Sequence, residues 1–150
     1  MELRSVEELM DLLYACRGVP ESPGGPGHGV DLHDHALQTA ALLRRSRPAD
    51  KELQLTGLVH PIGRLLRPAD PADPTGRAER TAEAVRPLLG PRVAHLLRLH
   101  PWRGTDDDLA RLHQADEDGR SPGVDAGVLE DWRTVLELIA ARNSRLGAVD

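Results

Sequence analysis

The spacing of apolar residues constrains this chain most. Apolar side chains recur every three to four residues in successive segments, as on one face of a helix, and no segment sustains the apolar–polar alternation of a strand. Capping signals precede several of these segments; Ser5 followed by Glu8, for example, forms a capping box before the first apolar run. The pattern predicts an all-α protein, a compact bundle of about six to seven helices without internal repeats.

Proline and glycine separate the predicted helices. The segments PESPGGPGHG and PADPADPTG are too rich in these residues to be regular, so they are predicted to be loops. The first of them, at residues 20 to 29, is a candidate lid over a site. Asp34, Asp50 and Thr105 are the predicted caps of three later helices. The predicted helices cover residues 6 to 18, 34 to 46, 51 to 60, 77 to 89, 91 to 100, 106 to 116 and 124 to 145.

Length and composition limit the class of protein. The 150 residues fit one domain, 1–150, with a single core, and the lone Cys16 is predicted to be a small core residue. No apolar run is long enough to span a membrane, and MELRSVEELM lacks the features of a signal peptide, so we expect a cytoplasmic protein. A net charge of -5, with two tryptophans and one tyrosine, argues against nucleic acid as a partner.

Seven histidines are the main chemical signal. His35, His60 and His100 fall at the ends of three different predicted helices, an arrangement that can direct three imidazoles into one space, as in metal sites of helical bundles. His28 lies in the glycine-rich loop and can approach such a site. Taken singly, each histidine is more often structural than a ligand, and the remaining three are predicted to lie outside the site: His33, His95 and His113.

The stretch HALQTAALLRRSRPADKELQLTGLVHPIGRLL, residues 35 to 66, resembles the core of the HD-domain superfamily of metal-dependent phosphohydrolases. It is most similar to the branch of mixed-valence di-iron oxygenases that cleave phosphonates. The resemblance covers about residues 27 to 132 and implies an HD-domain-like helical bundle. It places His35, His60, His100 and Asp116 on metal-ligand positions of that branch.

Two positions depart from the pattern of the branch. Pro61 stands where the superfamily has the aspartate that bridges its two metals, and Arg77 stands where the branch has a histidine. The segment after His100, HPWRGTDDD, also lacks the lysine with which this branch grips its substrate. The resemblance therefore implies that the second metal position has been dismantled.

The resemblance assigns His100 to the second metal position, so two histidines and a carboxylate remain at the first. The resemblance implies that His35, His60 and Asp116 bind one divalent metal, and this composition is that of a facial triad, which suits Fe(II) and can also hold Zn or Mn. The alternative is a hydrogen-bonded cluster in the core, with no metal bound.

Two classes of function follow from these expectations. In the first, the protein is a mononuclear oxygenase or a related enzyme, such as a metal-dependent phosphohydrolase, that acts on a small anionic metabolite. His100 would act as acid, base or substrate contact, and Arg77 would hold the anionic group, since guanidinium groups suit carboxylates and phosphates. His28, Trp102 and Arg103 are further candidate substrate contacts. In the second class, the protein is an inactive HD pseudoenzyme that binds a ligand or a partner protein.

Overall fold

The computed structural model describes residues 2–21, 29–66 and 76–148. Within those ranges the chain folds into helices and contains no strand, which confirms the predicted all-α bundle. No helix in the described part is both long enough and apolar enough to cross a membrane. The six α-helices are α1 (Val6–Ala15), α2 (Leu32–Ser46), α3 (Lys51–Val59), α4 (Arg77–Arg98), α5 (Asp107–Asp118) and α6 (Arg133–Ala148), with 3₁₀ turns at His60–Arg64 and Leu129–Trp132.

Two of the predicted N-caps are confirmed. The Ser5 hydroxyl accepts from the backbone N–H of Glu8 at 3.2 Å. The Asp50 carboxylate accepts from the backbone N–H of Leu53 at 3.0 Å, so α3 begins where the sequence predicts. Each cap satisfies a backbone donor that has no partner inside its helix.

Two other predicted caps were wrong. Asp31 caps α2 in place of Asp34, because its carboxylate accepts from the backbone N–H of Asp34 at 2.8 Å. Asp106 caps α5 in place of Thr105, and it accepts from the backbone N–H of Asp108 at 2.9 Å. Both sequences contain several adjacent residues that can cap, and the backbone angles of the preceding turn select one of them.

The break predicted between residues 89 and 91 lies inside α4. Gly90 there has φ 91° and ψ 175°, so two helical segments meet at a kink just before Pro91. Glycine tolerates this positive φ, and proline lacks the backbone donor that would continue the helix. The last helix starts later than predicted: a 3₁₀ turn at Leu129–Trp132 comes first, and α6 begins at Arg133.

The core confirms the predicted interior position of Cys16. Cys16 and Trp132 are both fully buried among leucines of several helices. Burial, reinforced by the nearby Asp31 carboxylate, raises the pKa of Cys16 to about 12, so the thiol stays protonated. A smaller apolar cluster contains Trp102 and lies between α2, α3, α4 and α5: Leu43, Leu53, Leu96, Trp102, Leu112 and Ala115.

Helix α2 is packed closely on two sides near Thr39, one turn after His35. A side chain at Gly57 of α3 would lie 3.1 Å from Thr39 Cγ2 and would overlap the side chain of Leu43. A side chain at Gly119, after α5, would lie 2.5 Å from Thr39 Oγ1. The two glycines therefore let the ends of α3 and α5 approach α2 at the level where His35 projects.

Candidate metal centre

Three side chains from three elements converge at one point. His35 comes from the first turn of α2, His60 from the start of the 3₁₀ turn after α3, and Asp116 from the last turn of α5. His35 Nε2 lies 2.8 Å from Asp116 Oδ1, His60 Nε2 lies 3.1 Å from the same oxygen, and the two nitrogens are 3.2 Å apart. The side chains are at most 7% exposed. This group, which the sequence predicts as the ligand set, could hold a metal ion.

The three separations fit a facial arrangement of ligands. Ligand atoms at right angles about one ion, each about 2.1 Å from it, lie about 3.0 Å from one another. The observed separations of 2.8, 3.1 and 3.2 Å are close to that value. Such a set occupies one face of an octahedron and leaves the opposite face for water or substrate.

The hydrogen bonds of His60 set its tautomer. His60 Nδ1 lies 2.6 Å from the carbonyl oxygen of Gly57, so Nδ1 carries the proton and donates it there. The neutral ring then presents the lone pair of Nε2 to the carboxylate of Asp116. A second proton on the ring is disfavoured, because burial lowers the pKa of His60 in spite of the adjacent carboxylate. The lone pair of Nε2 and the negative carboxylate repel each other, and a cation bound between them would remove this repulsion. A backbone acceptor on the other ring nitrogen is also typical of a metal-ligating histidine.

The guanidinium group of Arg120 holds the second carboxylate oxygen of Asp116. Arg120 Nη2 lies 3.2 Å from Asp116 Oδ2, and Arg120 Nε lies 2.9 Å from a carboxylate oxygen of Glu21. Burial alone would raise the pKa of Asp116, but His35, His60 and Arg120 outweigh it and hold the pKa below its ordinary range. Asp116 is therefore an ionised carboxylate, as a metal ligand must be.

His100 lies beside the three ligands and is not one of them. Its ring stacks on His60 with centroids 5.6 Å apart, and its Nε2 is 3.9 Å from Asp116 Oδ2, too far for a hydrogen bond. The side chain is 35% exposed and faces the cavity. Burial, with a smaller effect from His60, lowers the pKa of His100 to about 4, so its ring is neutral near pH 7.

Trp102 is buried beneath the imidazoles. It is 1% exposed, and its Nε1 donates to the carbonyl oxygen of Leu96 at 2.8 Å. Its ring packs edge-on against His60 and His100, with centroids 5.2 and 4.7 Å away. Trp102 therefore supports the imidazoles, and its predicted contact with substrate stays a prediction.

Arg103 and His28 are the two other predicted substrate contacts. Arg103 is exposed and is not among the residues that line the cavity at the metal group. His28 and most of the predicted lid, residues 22–28, lie outside the described residues. Contacts from either residue to a substrate stay predictions.

A cavity of about 160 Å³ adjoins the cluster of His35, His60 and Asp116. Arg77, the first residue of α4, lines it, and the predicted contact of Arg77 with an anionic substrate stays a prediction. Sequence reasoning missed Arg64, Arg120 and Glu21, which also line it. Arg64 follows His60 by four residues and Arg120 follows Asp116 by four, so helical spacing from each predicted ligand is the signal that could have found them.

A second acidic and histidine-containing group lies at the start of α2. Asp31, His33 and Asp34 offer ligand atoms close enough to share an ion. Asp31, however, already accepts from the backbone N–H groups of Gly18 and Asp34, both at 2.8 Å. His33 Nδ1 lies 3.0 Å from Asp34 Oδ1. This group serves as a helix cap, and His33 takes no part in the cluster of His35, His60 and Asp116.

Comparison with known proteins adds no relative. No protein-family model matches the sequence, and no curated protein matches it significantly. The interpretation of the site therefore depends on its own geometry.

Proposed function

We propose that this chain is a metal-dependent enzyme that holds one divalent ion on His35, His60 and Asp116 and acts on a small anionic metabolite. The observation that carries the proposal is the orientation of His60. Its Nδ1 is committed to the Gly57 carbonyl, so the lone pair of Nε2 faces a buried carboxylate 3.1 Å away. A divalent cation bound by both groups makes that contact favourable.

The cavity beside the ligands limits the size of the substrate. A cavity of about 160 Å³ suits a small metabolite or one end of a larger one. Arg77 at the rim supplies a cation for an anionic group, and His100, stacked on His60, supplies an imidazole within reach of the bound molecule. A divalent ion at this position would polarise a bound substrate or activate water and, if ferrous, would also support oxygen chemistry.

Two observations bear on the type of reaction. Two imidazoles and one carboxylate in a facial arrangement suit Fe(II), and the sequence resemblance to the phosphonate-cleaving branch also favours an oxygenase. Zn or Mn in the same ligand set would favour hydrolysis, as in the phosphohydrolases of the HD-domain superfamily. We favour the ferrous oxygenase.

The second candidate is an inactive ligand-binding module. Pro61 favours it, because this residue lines the cavity where the superfamily has its bridging aspartate and offers no ligand atom. In that case the hydrogen bond between His35 and Asp116, 2.8 Å long, would hold the cluster together without a metal.

Metal content and oxygen uptake separate these candidates. Protein purified without added metal is analysed for its elements, then stripped with a chelator and reloaded anaerobically with Fe(II), Zn or Mn. We expect one ion per chain and, with Fe(II) and a panel of small phosphorylated and carboxylated compounds, substrate-dependent oxygen consumption. His60→Ala serves as the control that lacks a ligand. Absence of bound metal after all three reloading experiments would contradict the enzyme proposal.

A further inference from the structure

We infer that Arg64 and Arg77 form an anion subsite that binds a phosphate group of the substrate beside the metal ligands. The inference rests on the proposed function for its role in a substrate complex, but the subsite itself is built from residues that do not bind the metal. Arg64 ends the 3₁₀ turn that begins at His60, and Arg77 begins α4. Both side chains line the same cavity as His35, His60 and Asp116.

The charges around this cavity are unevenly paired. Among the described residues, its lining contains two carboxylates, Glu21 and Asp116, and Arg120 contacts both of them. Arg64 and Arg77 form no ion pair within the described part of the chain. Three guanidinium groups therefore line this cavity with two carboxylates, and Arg64 and Arg77 have no carboxylate partner among the described residues. A bound anion would compensate them.

Two arginines outside the cavity are paired with carboxylates. Arg92 contacts Asp50 at 2.7 Å, and Arg98 contacts Glu79 at 2.9 Å. Arg64 and Arg77 have no such partner among the described residues. Burial, and then the positive charges of Arg64 and Arg80, lower the pKa of Arg77. Like charges in one cavity repel each other, and a bound anion would relieve that repulsion.

Gly63 allows the side chain of Arg77 to pack closely against the 3₁₀ turn. A side chain on Gly63 would lie 2.6 Å from Arg77 Cγ and would also overlap Thr81 Oγ1. The methylene stem of Arg77 therefore lies against the 3₁₀ turn that carries Arg64. The positive end of the α4 dipole begins at the same residue, after a Gly76 N-cap that has no side-chain acceptor, and adds to the attraction for an anion.

A phosphate matches this pair better than a carboxylate does. Each guanidinium can donate two parallel N–H bonds, so the pair needs several acceptor oxygens arranged around one centre. A phosphate monoester supplies three terminal oxygens and about two negative charges, whereas a carboxylate supplies two oxygens and one charge. The dianion therefore compensates both arginines at once.

Phosphate binding to metal-free protein tests the subsite separately from the metal. The full chain, stripped of metal by a chelator, is titrated with inorganic phosphate by calorimetry at constant ionic strength, and with acetate as the carboxylate probe. We expect saturable phosphate binding and weaker binding of acetate. Arg64→Gln and Arg77→Gln should each weaken phosphate binding by about 10-fold, the value expected for loss of a charged hydrogen-bonding partner. Arg86→Gln, on the exposed face of the same helix, is the control and should bind as the unmodified protein does.

Further variants control for misfolding and test whether the planar guanidinium groups and the position of Arg77 matter for phosphate binding. Arg64→Lys and Arg77→Lys keep the charge without the planar fork, so phosphate binding should fall less than in the glutamine variants. Gly63→Ala should weaken phosphate binding because it displaces the stem of Arg77. Equal phosphate affinity in Arg64→Gln and Arg86→Gln, or acetate binding as tight as phosphate binding, would overturn the inference. Metal content is measured in the same variants: retained phosphate binding in a protein that binds no metal would contradict only the proposed enzyme function.

Discussion

His35 on α2 and Asp116 on α5 meet across 81 residues of sequence, with Nε2 of the histidine 2.8 Å from Oδ1 of the aspartate. His60 joins them through the same oxygen at 3.1 Å. The site therefore exists only when three elements are packed together, and its properties should respond both to the ligands and to the packing that brings them together.

The ligand assignment predicts which histidine can be removed. His35→Ala, His60→Ala and Asp116→Ala should each abolish metal binding, because a site with three protein ligands loses most of its affinity for the ion when one ligand is removed. His100→Ala should keep the metal, since its Nε2 is 3.9 Å from Asp116 and outside the ligand set. Elemental analysis and calorimetric titration measure both outcomes. Retention of stoichiometric metal by Asp116→Ala would show that the ligands are assigned wrongly.

The metal stoichiometry should be one per chain. Two divalent ions about 4 Å apart repel by roughly 17 kcal/mol at an effective dielectric of about 20, and here a proline lines the cavity where a bridging carboxylate would offset part of that repulsion. Arg77 adds a positive charge to the same cavity. The double variant Pro61→Asp, Arg77→His should admit a second ion. Two ions per chain in the unmodified protein, measured by elemental analysis, would contradict this prediction.

Arg120 should control metal affinity without touching the metal. It binds the second oxygen of Asp116 at 3.2 Å and thereby orients the first toward the histidines. Arg120→Gln should weaken metal binding by about 10-fold, as is usual when a partner of a ligand is removed. Arg111→Gln, on α5 and outside the cavity lining, is the control. Equal metal affinities for the two variants in competition titrations would exclude this role.

The close contact between α2 and α3 should couple stability to the site. Gly57→Ala places a methyl group 3.1 Å from Thr39 Cγ2 and against Leu43, so we expect a loss of about 1–3 kcal/mol in the free energy of unfolding and weaker metal binding. Gly29→Ala, whose methyl group would meet only a carbonyl oxygen at 3.8 Å, is the control. Denaturant unfolding of the metal-free proteins and metal titration provide the two measurements. An unchanged free energy of unfolding in Gly57→Ala would contradict the tight packing.

Asp50 should make an acid-sensitive contribution to stability. The hydrogen bond from Arg92 lowers the pKa of Asp50, although partial burial opposes it. A lowered pKa stabilises the fold at pH values above the unfolded-state pKa of about 3.9, and this stabilisation is lost as the pH falls toward the folded-state pKa. Asp50→Asn keeps the cap and removes the charge, so it should cost up to about 1 kcal/mol at pH 7, after allowance for screening at a partly exposed pair.

The test of Asp50 is a comparison at two pH values. The difference in the free energy of unfolding between the unmodified protein and Asp50→Asn should shrink between pH 7 and pH 3. Asp50→Ala, which also removes the cap, should be less stable than Asp50→Asn at both values by about 1 kcal/mol. A difference between unmodified protein and Asp50→Asn that grows on acidification would reverse the assigned sign.

Local sequence determined the helical architecture and the identity of the candidate ligands. Helix type and approximate limits follow from apolar spacing, caps and breakers, which act over three to four residues, so the break at Gly90 and the cap at Asp50 could be predicted. His35, His60 and Asp116 were found from motif resemblance. Local sequence does not distinguish neighbouring residues that can all cap a helix, and Asp31, not Asp34, is the cap of α2.

The arrangement of these residues around one cavity comes from the packing of distant segments. The contacts of Asp116 with His35 and His60 span 81 and 56 residues, and no short-range pattern specifies such separations. The burial of Trp102 and the placement of Arg64 in the same cavity likewise depend on how helices pack. The reason is physical: helix formation depends on interactions within one turn, whereas a site built from distant segments forms only when the packing of several helices, here close enough to require Gly57 and Gly119, brings its side chains together.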